Sequence, residues 1–520
     1  MYKLTYSTMF DPPAEMHTRF EAALQDVRAQ MGGRHALFID GADVHAGQHR
    51  EKRSPIDRDW LLGSFPQATA DDVDRAMQAA HKALPSWRAT PVAERTRLLR
   101  RVAQLIEERV YHIGAALALE VGKNRMEALG ETQETADFFN VYCDDFERQG
   151  FDHVLPNDPL PDTVSRNRSV MKPYGAWVVI TPFNFPFALA GGPVAAALVT
   201  GNTVVLKSAS DTPWSGRLLA DCLRDAGIPA GVFNYLSGPS TAIGDALLQH
   251  PHLAGITFTG SYDVGMRIAR QMSAGRYPRP VIAEMGGKNA CIVTAKADLE
   301  RAAAGIVRSA YGMGGQKCSA LSRLYVESVV ADELSQRLQA KIAAIGIGDP
   351  TRAENWFGPV VNETAYRKYA GYTQQLRSRG AKILAGGKVL AEGDYAKGFF
   401  VTPTLAEAAP DDPLWREEMF LPILTMQRVR DLDAGLSLAN DSDLGLTAGM
   451  YGSNEEVQYF FDRIEAGVTY ANRPQGATTG AWPGYQPFGG WKGSGNTGKA
   501  IASFYYLAQY MREQSQTLVE

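Results

Sequence analysis

The chain has 520 residues, 45% of them hydrophobic, and a formal net charge of -4. That length exceeds what one hydrophobic core usually serves, so two or three domains are expected. The near-balanced, dispersed charge gives no basic surface of the kind nucleic acid requires, which leaves small molecules or further copies of the chain as partners.

The first residues, MYKLTYSTMFDPPAEMH, lack a charged start followed by an apolar core, so no secretory signal is expected. Residues 1 to 155 read as helices with loops. Apolar positions recur at helical spacing over Asp71 to Ala83, Ala93 to Arg109 and Arg125 to Phe146. Asp71 and Asp72 fit caps or first-turn charges, and Glu134 reads as part of a solvated helix face. The polar segment Asn157 to Lys172 reads as a linker or a hairpin leaving the main body. From Gly175 to Leu206 no residue is charged, yet Pro182, Asn184, Pro186, Gly191 and Gly192 interrupt the run. Two buried strands around a short helix explain it better than a membrane span.

From Ala176 onward, apolar runs alternate with helices: WVVI, a helix through Pro193 to Thr200, TVVLKS, a helix through Leu218 to Asp225, VFNYLSG, a helix through Gly244 to Gln249, and GITFTG. This is the pattern of a parallel sheet covered on both faces, with a nucleotide site expected at the carboxyl ends of its strands. Those ends carry Thr181 to Asn184, Lys207 to Ser210, and Gly260 to Gly265 in FTGSYDVG. The last is not a GxGxxG fingerprint, and a tight turn gives the same pattern as a phosphate cradle. Lys207, ending a buried strand, stands where ribose or an added phosphate is usually met, although a solvated strand end fits equally.

After VIAEMGGKNACIV a second α/β unit follows, with a helix Leu299 to Tyr311, a loop GMGGQKCSAL, the strand SRLYVE, helices Asp332 to Ile345 and Ala365 to Arg379, the strand KILAGG, and further alternation to about Tyr470. In the loop, Cys318 among glycines reads either as an exposed nucleophile or as a buried structural cysteine. Gly312, Gly314 and Gly315 allow backbone N–H groups to approach a ligand closely. The other cysteines, Cys143, Cys222 and Cys291, stand far apart, which argues against disulfides or a zinc knuckle and for a reducing cytosol. Near the C-terminus GSGNTGKA almost matches a P-loop but has Ala500 where magnesium needs a Ser or Thr, and no buried strand leads into it. An amphipathic tail closes the chain.

Cys318, a strand-end carboxylate at Glu284 and the amide of Asn184 together make a nucleophile, a base and an oxyanion donor on a nucleotide-binding fold. The motifs PFNFP, FTGSYDVG, AEMGGK, GQKCSA, EEMF and QPFGG stand in the order and spacing of the aldehyde dehydrogenase superfamily, which the chain resembles from about residue 35 to its end. Through AEMGGKN, GQKCSALSR, TGAWPGYQPFGGW and YYLAQYMREQS it is most similar to the glutamate-γ-semialdehyde (1-pyrroline-5-carboxylate) dehydrogenases.

That resemblance implies an α/β fold. A Rossmann-like NAD(P)-binding domain would span residues 1–155 and 176–290, a catalytic domain 291–485, and a β-flap with the C-terminal tail 156–175 and 486–520. It implies attack by Cys318 on an aldehyde, an oxyanion held by the Asn184 amide and the Cys318 N–H, and a thioester hydrolysed by water that Glu284 activates. NAD or NADP would meet Thr181, Pro182, Lys207, Ser210, Gly260, Ser261, Gly265, Glu418 and Phe420. The substrate would meet Phe185, Ser319, Gly480, Ala481 and Phe488, and no metal is implied. It further implies proline catabolism and a homo-oligomer assembled through the flap, with Tyr505, Tyr506 and Tyr510 available for burial against a partner and no membrane or nucleic acid involved. The chain departs from many relatives in having Ser208, Ala209 and Ser210 after Lys207 where they have Pro-Ser-Glu, which admits NADP beside NAD. Leu421 replaces a glycine, and the loop ANRPQGATTGAWPG is about three residues longer, which opens the way to another polar or carboxylated aldehyde. A cysteine hydrolase or acyltransferase is the reading from another class, but all nine histidines lie at or before His252.

Overall fold

The computed structural model describes residues 3–45, 47–159 and 164–519. Residues 160–163, inside the expected flap segment, lie outside that description. Two seven-stranded sheets organise the chain. In the first, Val281–Glu284, Leu253–Thr259, Ala176–Ile180, Thr203–Lys207 and Phe233–Leu236 run parallel, and Leu37–Ile39 and Ala42–Val44 add an antiparallel edge. The central strands are buried along almost every residue, because helices cover both faces. In the second sheet Asn289–Val293 sits between Leu321–Glu327 and Thr447–Tyr451, all parallel, with Lys382–Ala385 antiparallel at one edge. A third, three-stranded antiparallel sheet joins Asp152–Leu155, Ser165–Pro173 and Met511–Val519. The polar segment is therefore part of a hairpin, and the tail completes it as a strand.

The N-terminal helices run further than their apolar spacing indicates. Ala70–Ala89 starts from Thr69, whose side chain and that of Asp72 form a reciprocal capping box, and it continues through Pro85. Past the proline, Trp87 is buried and donates to Leu198 O at 3.1 Å. Val110–Val121 is apolar all round and buried, so it shows no amphipathic period in the sequence. Arg125–Gln149 is covered along most of its length, and Glu134 is buried rather than solvated. The helix Ala188–Val199 packs over it, and Tyr6 from the N-terminal segment donates to Glu134 Oε2 at 2.5 Å.

The C-terminal aromatics are corrected likewise. Tyr506 and Tyr510 are fully buried inside their own chain, where Tyr510 Oη lies 2.9 Å from both Thr257 Oγ1 and Tyr506 Oη. Only Tyr505, 61% exposed, remains for a partner. Among the described residues no helix is long and apolar enough to cross a membrane.

Candidate active site

The chain passes from the first sheet to the second in the few residues between Glu284 and Asn289, and the candidate site is built around that crossing. Glu284 ends the edge strand Val281–Glu284. The expected near-P-loop serves here as a clamp on that strand: Asn496 accepts from Ala283 N at 2.8 Å and donates to Val281 O at 3.0 Å. Ser494 then accepts from Met285 N through its carbonyl at 2.8 Å and donates its hydroxyl to Gly286 O at 2.6 Å. Gly287 N donates to Glu418 Oε1 at 2.8 Å. Asn289 begins the second sheet and donates to Cys318 O at 2.7 Å and Ala320 O at 2.8 Å, which fixes the cysteine loop.

The glycines before Cys318 serve packing rather than ligand approach. Met313, Gly314 and Gly315 all have positive φ, and a Cβ on Gly315 would stand 2.5 Å from Leu421 O. Leu421 itself is buried, so its side chain fits where relatives carry a glycine. The lysine beside the cysteine gives it no direct charge partner, since Lys317 Nζ pairs with Glu127 Oε1 at 3.0 Å. Burial pushes the Cys318 thiol up to about 12, with the carboxylates of Glu418 and Glu284 adding to the rise and the N–H groups of Ser319 and Cys318 opposing it. The resting thiol is therefore protonated. Cys318 is half-buried and Glu284 is buried; among the described residues Glu284 Oε2 has no hydrogen-bond partner, and burial raises its carboxyl to about 8. It lines neither cavity beside Cys318.

Cys318 lies between two cavities. On one side is a cleft of about 1030 Å³ at the carboxyl ends of the first sheet. Thr181, Pro182 and Asn184 line it from one strand end, Lys207 and Ser210 from the next, and Gly260 and Ser261 from the third. Glu418 and Phe420 close it from the second unit. Gly265 does not line it: a Cβ there would lie 2.5 Å from Met285 Sδ, so this glycine brings the helix Tyr262–Ser273 close to the strands. Asp211, Asp245, Arg267 and Lys368 also line the cleft and were not read from sequence. Arg267 could have been found, standing one helical turn beyond Asp263 in the FTGSYDVG helix. Lys368 comes from a helix of the other unit, with no local signal.

The cleft fits a dinucleotide. Thr181 Oγ1 is buried without a partner. Ser261 caps its helix without a side-chain hydrogen bond, leaving the helix N-terminus open to a pyrophosphate. Lys207 Nζ meets Ser240 Oγ at 2.8 Å, and burial lowers its pKa to about 8 against the opposing pull of Asp211.

On the other side of Cys318 is a cavity of about 60 Å³, lined by Phe185, Ser319, Gly480, Ala481 and Phe488 as expected. Tyr6 and Glu134 line it too and were missed. Phe185 carries Lys123 Nζ at 3.6 Å from its ring centroid, and Lys123 in turn pairs with Glu131 Oε2 at 2.5 Å. Among the described residues no histidine lines either cavity, which removes the ground for a Cys–His hydrolase.

The aldehyde dehydrogenase family profile matches residues 43–515. The chain is 38% identical over 507 residues, 96% of each chain, to a 1-pyrroline-5-carboxylate dehydrogenase of Geobacillus thermodenitrificans. It is 37% identical over the same length to 1-pyrroline-5-carboxylate dehydrogenase 1 of Halalkalibacterium halodurans. Among solved structures, the 1-pyrroline-5-carboxylate dehydrogenase from Thermus with bound NAD superposes with a TM-score of 0.92 at 33% identity, covering 100% of this chain and 99% of that one. An NAD-dependent aldehyde dehydrogenase from Sinorhizobium meliloti gives 0.88 at 32% identity over 95% and 96% of the two chains. With Cys318 between a cleft that fits a dinucleotide and a smaller cavity, and with these matches along its length, the chain belongs to the aldehyde dehydrogenase family and is an NAD(P)-dependent aldehyde dehydrogenase.

Proposed function

We propose that this enzyme oxidises glutamate-γ-semialdehyde to glutamate, as the names of its relatives indicate, with Cys318, Glu284 and Asn184 as its catalytic residues. The observation that carries this reading is the position of Cys318 between the two cavities. The Cys318 sulfur, on losing its proton, attacks the aldehyde carbon. The resulting oxyanion accepts hydrogen bonds from the Asn184 amide and the Cys318 N–H. Glu418 and Phe420 would hold the nicotinamide beside Cys318, where the chemistry it would supply is uptake of a hydride from that carbon. What remains on the enzyme is a thioester at Cys318. Glu284 swings toward it, takes a proton from water, and the attacking oxygen displaces the thiolate to release the acid.

In the cleft, Lys207 and Ser210 would hold the adenosine ribose, Gly260 and Ser261 the pyrophosphate, and Glu418 and Phe420 the nicotinamide end, with Thr181 and Pro182 along the wall. No acid stands at 208–210 after Lys207, but Asp211 lines the same cleft and acts on Lys207, so a 2′-phosphate there would meet the Lys207 charge and the Asp211 carboxylate together. In the small cavity, Ser319, Gly480 and Ala481 hold the carboxylate end while Phe185 and Phe488 flank the methylenes. The expected boundary after residue 290 falls inside the strand Asn289–Val293, so we draw the cofactor domain as 1–155 and 176–288 and the catalytic domain as 289–485.

The three-stranded sheet serves as the contact with a second copy of the chain. Val154 and Leu518 are 84% and 57% exposed on its two outer strands, where unpaired edges invite another chain. We place the enzyme in a reducing cytosol, because its four cysteines are all free.

Initial rates of reduced-nicotinamide formation test the substrate. With 1-pyrroline-5-carboxylate, kcat/KM should exceed that with succinic semialdehyde or a simple aliphatic aldehyde by about tenfold or more. If another aldehyde wins, the chemistry stands and the substrate reading falls. Cys318→Ala should lose at least about 1000-fold in kcat while still binding cofactor, and full activity in it would sink the mechanism.

The sign of the pH dependence follows from Glu284. A carboxyl near 8 is protonated at neutral pH and becomes a base only above it, so thioester hydrolysis should speed up as pH rises through about 8. The measurement is the single-turnover rate of acid release across pH 6.5 to 9.5. A flat profile in the native enzyme, or the same rise in Glu284→Gln, argues against the assignment. Light scattering should give a mass above the 56.7 kDa of one chain, and a monomer would contradict the flap reading.

A further inference from the structure

The N-terminal segment has no part in the mechanism above, yet it reaches the aldehyde cavity. Thr8 N donates to Thr5 O at 3.1 Å, closing a turn that carries Tyr6 inward. The Tyr6 hydroxyl donates to Glu134 at 2.5 Å, and its ring meets Phe185 edge-on at 6.4 Å and Trp482 at 5.1 Å. A Cβ on Gly480 would lie only 3.3 Å from that ring. Tyr6 therefore stands against two of the residues given above to the substrate.

The segment is strapped down from outside by contacts of another kind. Lys3 Nζ lies 3.8 Å from Asp137 Oδ2 and 5.1 Å above the Tyr485 ring. Arg473 donates to Ser7 Oγ at 2.9 Å, and the Arg308 guanidinium lies 3.9 Å above the Phe10 ring. The Lys3 and Ser7 contacts are solvent-exposed polar pairs, which contribute little to holding a segment in place. Beneath these contacts Leu4, Tyr6 and Met9 are buried in the same core cluster as Phe138, so the Tyr6 ring is a packed wall of the cavity.

With Tyr6 in place the cavity of about 60 Å³ has the volume of about two water molecules. An aldehyde that extends past Phe185 toward Gly480 meets the Tyr6 ring. We propose that Tyr6 is a specificity-determining residue: its ring forms the far wall of the aldehyde cavity on the Gly480 side and limits the length of aldehyde that reaches Cys318.

This inference rests on the aldehyde occupying the cavity beyond Cys318, and its test separates the two. The measured quantity is the ratio of kcat/KM for hexanal to that for propanal, in the native enzyme and in variants. Tyr6→Ala should raise the ratio about tenfold or more, the scale set by methylenes gaining a place in an apolar pocket. Tyr6→Leu, which keeps an apolar side chain in the core but shortens it, should raise it about threefold and serves even if Tyr6→Ala folds poorly. Tyr6→Phe, which keeps the ring, should leave the ratio within about twofold. A ratio unchanged in both Tyr6→Ala and Tyr6→Leu overturns the proposal. Propanal turnover by the native enzyme and its loss in Cys318→Ala report separately on the underlying mechanism.

Discussion

The backbone at Gly286 and Gly287 passes through a gap that admits no side chain. A Cβ on Gly286 would collide with the Glu418 carboxylate, and one on Gly287 with the carbonyl of Cys318. That close passage lets one short crossing end the first sheet at Glu284, receive Glu418 on Gly287 N, and start the second sheet at Asn289, whose side chain grips the cysteine loop. The relative positions of Cys318, Glu284 and the cleft all follow from it. A bulkier residue at either position would move the cysteine loop relative to the cleft, and placement errors of about 1 Å are enough to cost roughly 100-fold in rate.

Burial sets the electrostatics of the same region. Cys318, Glu284 and Glu134 are each held above their ordinary pKa chiefly by loss of water, so the resting site stores protons instead of charges. Lys123 and Glu131 form a buried pair nearby. Glu131 accepts from Lys123 and also from Phe187 N at 2.8 Å and Ala188 N at 3.1 Å, which supplies the start of the helix Ala188–Val199 with an acceptor its own residues lack. That helix start follows directly after Phe185, so a buried ion pair orients a wall of the aldehyde cavity. Removing one partner would leave an uncompensated charge beneath the site, the costly case for a buried pair.

The alternation of apolar strands and helices from Ala176 onward is legible because each strand is buried on both faces and each helix shows one polar side. The strand ends could then be counted, and Asn184, Lys207, Gly260 and Cys318 meet at the cleft those ends form. Three kinds of feature were not legible. Val110–Val121 has no polar face to give a period. Glu134, Tyr506 and Tyr510 look like surface residues by type, and only long-range contacts bury them. The role of a glycine depends on what approaches it: Gly265 and Gly315 sit in motif positions that read as ligand contacts, yet each makes room for protein atoms, and GSGNTGKA clamps a strand edge through Asn496 and Ser494. Tyr6 could not have been placed at all from sequence, since Glu134 lies 128 residues away from it.

The central claim is that the acid is made through a thioester on Cys318 that Glu284 later hydrolyses. The most direct measurement is the mass of the Glu284→Gln enzyme after brief exposure to aldehyde and NAD, followed by acid quench and peptide mapping. The account predicts that the peptide containing Cys318 gains the mass of the aldehyde less two hydrogens, as an acyl group replacing the thiol proton. No adduct, or an adduct at Cys143, Cys222 or Cys291 instead, would contradict it.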